Sequence, residues 1–119
     1  MSGSILVVDD DPEFIVLARR ILQSLGLLVT GEARTAAAAI DAAESLRPDA
    51  ALVDVGLPDG DGLTLARHLT SLPWGLRVVL TSSDPDAASA RDVCRSGARA
   101  FVPKQDLLDA PLGRLLAVD

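Results

Sequence analysis

At 119 residues the chain has room for one hydrophobic core, and 17 acidic against 11 basic side chains set its formal charge at −6, too negative for gripping a nucleic-acid backbone. No apolar run approaches the ~20 residues of a membrane span, and MSGSILVV has no basic segment ahead of its short apolar run, so neither a membrane segment nor a secretory signal is expected. A single cysteine, Cys94, excludes an internal disulfide and fits the reducing cytoplasm. The first strand is expected at residues 5–9, where ILVV runs into three consecutive carboxylates, Asp9, Asp10 and Asp11. At ~5 Å and an effective dielectric near 20, each pair of carboxylates repels by roughly 3 kcal/mol, so either water or a cation must offset the crowding.

A first helix follows, with Phe14, Leu17, Ala18, Ile21, Leu22 and Leu25 forming one apolar stripe and Gly26 at its C-cap. A second strand is expected at 28–31, then a helix on Ala36, Ala39, Ile40, Ala43 and Leu46, capped by Thr35 and ended by Pro48. The third strand is 50–54, and its helix carries Leu65, Ala66, Leu69 and Leu72 before Pro73 and Gly75 stop it. The fourth strand is 76–80. Asp84-Pro85 reads as an N-cap and first helical residue, opening a helix that closes at Gly97. The fifth strand is 100–102, and a last helix is expected from 109–111 to the C-terminus.

Strand–helix alternation repeated five times implies an α/β fold, a doubly wound five-stranded parallel sheet with helices on both faces. Ligands in such sheets bind beyond the carboxyl ends of the strands, where strand order reverses. That rule selects Asp9, Asp10, Asp54, Thr81 and, just past the fifth strand, Lys104. Three acids, a hydroxyl and an amine from separate segments are expected to converge.

VVDDD after the first strand, LVDVGLPDGDGL around Asp54, VVLTSSD after the fourth and GARAFVPK at the fifth occur in order along nearly the whole chain. In these pieces the chain resembles a response-regulator receiver domain of two-component signalling. The resemblance implies the flavodoxin-like strand order 2-1-3-4-5. It also implies that Asp54 takes a phosphoryl group from the phosphohistidine of a sensor histidine kinase or phosphotransfer protein. Such chemistry depends on charge neutralisation. The resemblance assigns Mg²⁺ to Asp10, Asp54, the backbone carbonyl of Gly56 and, through a water, Asp9. It makes Lys104 the partner of the phosphoryl oxygens, Thr81 the hydroxyl that moves toward them, and Phe101 the aromatic switch. The expected output is a partner-binding face, or a self-association face, on the fourth helix, fifth strand and last helix, with no nucleic-acid or membrane contact by this domain. Residues 1–119 are then one receiver domain in the cytoplasm, an acceptor rather than an enzyme acting on other substrates.

Plainer readings stand beside these. Asp9 or Asp10 could cap the first helix, a task that suits Asp11 better. Lys104 alone is a surface lysine, Thr81 a strand-end hydroxyl and Phe101 an apolar edge-strand residue. His68 is expected in solvent, Trp74 partly exposed in a loop, and Cys94 on the inner face of the fourth helix, a small core residue beside Ala87, Ala90 and Val93. Gln105 follows Lys104 where many receivers carry a proline with a cis bond, so a trans bond is expected. Gly56, Ser82 and Ser83 are small and leave the pocket mouth open. Asp9 and Asp11 also satisfy the Asp-x-Asp of haloacid-dehalogenase phosphatases, although Glu13 stands where that family has threonine or valine. The remaining alternative is a receiver-like module that is never phosphorylated.

Overall fold

In the computed structural model, which describes residues 3–116, the apolar runs and helical stripes become β1 (Ser4–Val8), α1 (Pro12–Ser24), β2 (Leu28–Ala33), α2 (Ala36–Leu46) and β3 (Ala50–Asp54). A hairpin of two-residue strands, β4 (Gly56–Leu57) and β5 (Gly60–Asp61), leads into α3 (Gly62–Thr70). The chain continues through β6 (Arg77–Ser82), α4 (Ala90–Ser96), β7 (Ala100–Pro103), a 3-10 turn at Lys104–Asp106 and α5 (Leu112–Leu116). Five strands form one sheet in the order β2-β1-β3-β6-β7, each neighbouring pair parallel. With the small hairpin set aside, this is the order 2-1-3-4-5.

Alternation along the strands divides the core in two. Ile5, Val7, Leu52, Val79 and Val102 pack against α1 and α5, while Leu6, Val8, Val53, Val78 and Leu80 pack against α2 and α3. Each fully buried Leu, Ile or Val contributes roughly 1.5–3 kcal/mol.

The helix ends are set by local chemistry. Asp11 caps α1 by accepting from the Glu13 amide at 3.0 Å, with Pro12 in the first turn. Thr35 caps α2 by accepting from the Ala38 amide at 3.0 Å, and Arg47 in the left-handed region (φ 46°) ends it just before Pro48.

Four expectations need correction. On α1, Leu17 and, at the C-cap, Leu25 are 50% and 49% exposed, with Ile15 buried in place of Leu17, and on α2 Leu46 is 47% exposed. The buried face centres on Ala18, and Leu17 lies one residue, about 100°, round the helix from it. Second, α4 does not open at Asp84-Pro85. The Asp84 side chain accepts from the Asp86 amide at 2.9 Å and Ser82 Oγ from the Asp84 amide at 3.1 Å, so this stretch is spent on turns. The helix starts at Ala90 behind a capping box, in which Ser89 Oγ accepts from the Asp92 amide and the Asp92 side chain from the Ser89 amide. Third, Cys94 is exposed, as is Ala90. The buried residue of α4 is Ser96, about 200° round the helix from Cys94, held against α3 by Thr70 Oγ1, which donates to the Ser96 carbonyl at 3.2 Å. Gly97 permits this approach: it has φ +78°, and a Cβ there would lie 2.6 Å from Thr70 Oγ1. Fourth, the last helix starts at Leu112, and the end expected for it at the C-terminus lies outside the described residues.

Trp74 is half-buried in the loop before β6, and the loop position does not leave it idle. Its Nε1 donates to the Pro48 carbonyl at 3.0 Å, and the Arg47 guanidinium lies over its ring at 5.1 Å, tying the loops before β3 and β6 together. His68 is exposed, as expected. Among the described residues there is no cis peptide bond, and no helix is long and apolar enough to cross a membrane.

Candidate functional site

Register assembles the site. Val8 pairs with Val53, so Asp9 and Asp54 each stand one residue further along; Asp54 pairs with Thr81, Thr81 with Val102, and Lys104 follows two residues later. Because side chains alternate, Asp9, Asp54, Thr81 and Lys104 continue the rows that pack against α1 and α5. Four functional groups thus emerge on one side of the sheet at its carboxyl edge.

Asp9 is fully buried. Its Oδ1 accepts from the Asp11 amide at 2.9 Å, and its Oδ2 meets the Lys104 ammonium at 2.7 Å and takes no further hydrogen bond. Asp54 Oδ1 accepts from the Gly56 amide at 3.2 Å, and Oδ2 stands 3.6 Å from Lys104 Nζ. Asp10 is exposed, yet one carboxylate oxygen from each of Asp9, Asp10 and Asp54 lies within 4.8 Å of the others. Burial, and then the charge of Asp9, raises the Asp54 carboxyl above its ordinary 3.8, against the pull of Lys104. Burial alone lowers the Lys104 pKa, but contact with Asp9 and the charge of Asp54 outweigh it and raise the ammonium above 10.5.

At this edge Thr81 Oγ1, on a fully buried residue, has no hydrogen-bond partner, and Asp9 Oδ2 has the Lys104 ammonium alone. Three carboxylates face one ammonium, leaving an excess of negative charge and only hard oxygen donors. This donor set fits a divalent ion of the Mg²⁺ class. Asp11 is not part of it, since its side chain turns away to cap α1, so the Asp9/Asp11 pair of a dehalogenase-type phosphatase is not assembled. Phe101 points to the other side of the sheet, half-buried against the α2/α3 core. The mouth is open at Gly56, where a Cβ would find nothing within 4 Å.

Several positioning groups carried no signal in the sequence reading. Gly62 packs directly on the backbone at the end of β3: its amide donates to the Val55 carbonyl at 2.7 Å, and a Cβ there would lie 2.1 Å from the Asp54 carbonyl oxygen. Asp59, at the hairpin tip, accepts from the Ala36 and Ala37 amides at 2.7 and 3.0 Å, anchoring the loop to the start of α2. Those bonds, first that of Ala36, hold its carboxyl below the usual range. Phe14 lies under Lys104, whose ammonium is 4.1 Å from the ring centroid.

A parallel α/β sheet carrying buried carboxylates and a lysine at its carboxyl edge defines the class to which the comparisons add a family. The family model for the response regulator receiver domain matches residues 5–110, and the chain belongs to that family, the receiver domains of two-component response regulators. It is 27% identical over 104 residues to the chemotaxis protein CheY of Bacillus subtilis, covering 87% of each chain. It is 36% identical over 104 residues to the DNA-binding transcriptional activator DevR/DosR of Mycobacterium tuberculosis, covering 84% of this chain and 46% of that protein. A solved response regulator receiver domain protein (CheY-like) from Methanospirillum hungatei superposes with a TM-score of 0.78 at 27% identity, covering 97% of this chain and 94% of that one. The chain spans about half the length of the first curated relatives it matches, 51% and 56%.

Proposed function

We propose that residues 1–119 act as one cytoplasmic receiver domain in which an Asp54 carboxylate oxygen attacks the phosphorus of a partner's phosphohistidine. A P–O bond forms, the P–N bond breaks, and the imidazole leaves on the histidine kinase or phosphotransfer protein. Water later hydrolyses the acyl phosphate and restores Asp54, so the chain is an acceptor that turns over only itself. Asp10, Asp54, the Gly56 carbonyl and, through water, Asp9 would hold Mg²⁺, which supplies charge neutralisation for the phosphoryl oxygens. Lys104 moves from Asp9 toward the new phosphoryl oxygens, a mobile point charge on a flexible stem.

The observation that carries this reading is the Thr81 hydroxyl, fully buried and without a partner. Leaving such a group unsatisfied costs about 1–3 kcal/mol, and a phosphoryl oxygen on Asp54, its neighbour in register, is the acceptor that relieves it. Thr81 faces the α1/α5 side whereas Phe101, beside Leu80, faces the other. Motion of Thr81 is therefore transmitted through the β6–β7 backbone to Phe101 and α4. Since α4 has only seven residues and fully buries only Ser96, it is among the helices most easily shifted. The face formed by α4, β7 and α5 then binds the downstream partner or a second receiver.

With acetyl phosphate and Mg²⁺, intact-mass spectrometry is expected to show one added phosphoryl group, absent in Asp54→Asn and in EDTA. Labelling of the variant, or of the chelated protein, overturns the assignment.

A further inference from the structure

We infer that the face of the Phe14 ring is the platform that holds the Lys104 ammonium between Asp9 and Asp54, making Phe14 a positioning residue for phosphoryl acceptance. The inference rests on Asp54 as acceptor and goes beyond it to a residue outside the acid–hydroxyl–lysine set.

Three contacts converge on one nitrogen: Asp9 Oδ2 at 2.7 Å, Asp54 Oδ2 at 3.6 Å and the Phe14 centroid at 4.1 Å. The last distance is well inside the ~6 Å over which a ring attracts a cation. Phe14 itself is 7% exposed, packed among Ile15, Ala18 and the β1 side chains, so the platform is rigid. It is also placed by the same segment that supplies the acids, because Asp11 caps α1 and Phe14 sits in its first turn. Lys104 is the opposite, a long flexible stem with 19% of its side chain exposed.

A ring face suits this task because it draws the charge without accepting a directed hydrogen bond. All three ammonium protons stay free for carboxylate and, after transfer, phosphoryl oxygens. An aliphatic side chain of similar size fills the core but leaves the ammonium to swing into solvent or settle on Asp54, where it blunts the nucleophile.

Two readouts test this. In the unphosphorylated protein, the Lys104 ε-methylene protons are expected to carry an upfield ring-current shift by NMR, kept in Phe14→Tyr and lost in Phe14→Leu. Labelling by acetyl phosphate is expected to slow about fivefold in Phe14→Leu, to recover in Phe14→Tyr, and to fall stepwise as fluorines are added to the Phe14 ring at constant shape. Equal rates for Leu and Phe, or indifference to fluorination, reduce Phe14 to a core residue and overturn the inference. If the unmodified protein is not labelled at all, the acceptor assignment falls, and the ring-current shift alone decides whether Phe14 holds Lys104.

Discussion

Gly62→Ala is expected to lose about 3 kcal/mol of unfolding free energy in urea, the upper end for overpacking, because nothing around it can yield. The atoms its Cβ would strike are backbone: the Asp54 carbonyl oxygen at 2.1 Å and Val55 Cα at 2.7 Å. Relief requires displacing the end of β3, and with it the Asp54 carboxylate proposed as the phosphoryl acceptor. A displacement approaching 1 Å costs on the order of 10²-fold in rate, so labelling by acetyl phosphate falls with stability. Gly60→Ala is the control: a Cβ there meets only Ala36 Cβ at 3.7 Å, an ordinary contact, and leaves both measurements near the parent. A Gly62→Ala protein as stable and as readily labelled as Gly60→Ala would refute the close approach.

Lys104→Ala is expected to destabilise by about 2 kcal/mol at pH 7, since it strands a buried carboxylate whose partner, partly exposed, is itself screened by water. The stranded group is Asp9, fully buried and short of hydrogen bonds at Oδ2. Because the Lys104 pKa is raised in the fold, its stabilisation is complete below 10.5 and is lost only as pH climbs through the higher folded value. The deficit is therefore constant across neutral pH and shrinks in strong alkali. Adding Asp9→Asn removes the stranded charge and recovers most of the loss, and millimolar Mg²⁺ stabilises the single variant more than the parent. Urea midpoints of the four proteins of this double-mutant cycle decide it; additive losses would mean that the two residues do not act as a pair.

Much of this was legible in the residues. The apolar runs located all five sheet strands: β1, β3 and β6, buried on both faces, carry continuous Val, Leu and Ala, and the part-exposed edge strands β2 and β7 are short apolar stretches beside them. The carboxyl-end rule then selected Asp9, Asp10, Asp54, Thr81 and Lys104 for one pocket; register brings four of them to one side of the sheet, and Asp10, exposed beside them, reaches the same place with one carboxylate oxygen. What escaped was set by contacts between distant segments. Asp84-Pro85 is a sound helix start taken alone, but Ser82 and Asp84 close turns there and the Ser89–Asp92 box wins five residues later. Cys94 was misplaced in consequence. The β4–β5 hairpin is too short to show any period. Gly62 and Phe14 gave no signal because their roles depend on what lies against them, the Asp54 carbonyl in one case and an amine ninety positions along the chain in the other.

The bond from Trp74 to the Pro48 carbonyl also decides what light can report. It fixes the chain's one indole at the amino end of the sheet, across the full length of the strands from Asp54. Its emission is expected to follow the melting of the whole domain, when the indole leaves Arg47 and the carbonyl for water, and to be indifferent to the proposed phosphoryl chemistry at the far edge. A fluorimeter would record a folded, silent protein whether Asp54 is modified or bare. An optical reporter of the proposed signalling state would have to be built where the proposed switch would move, with Phe101→Trp in a Trp74→Phe background.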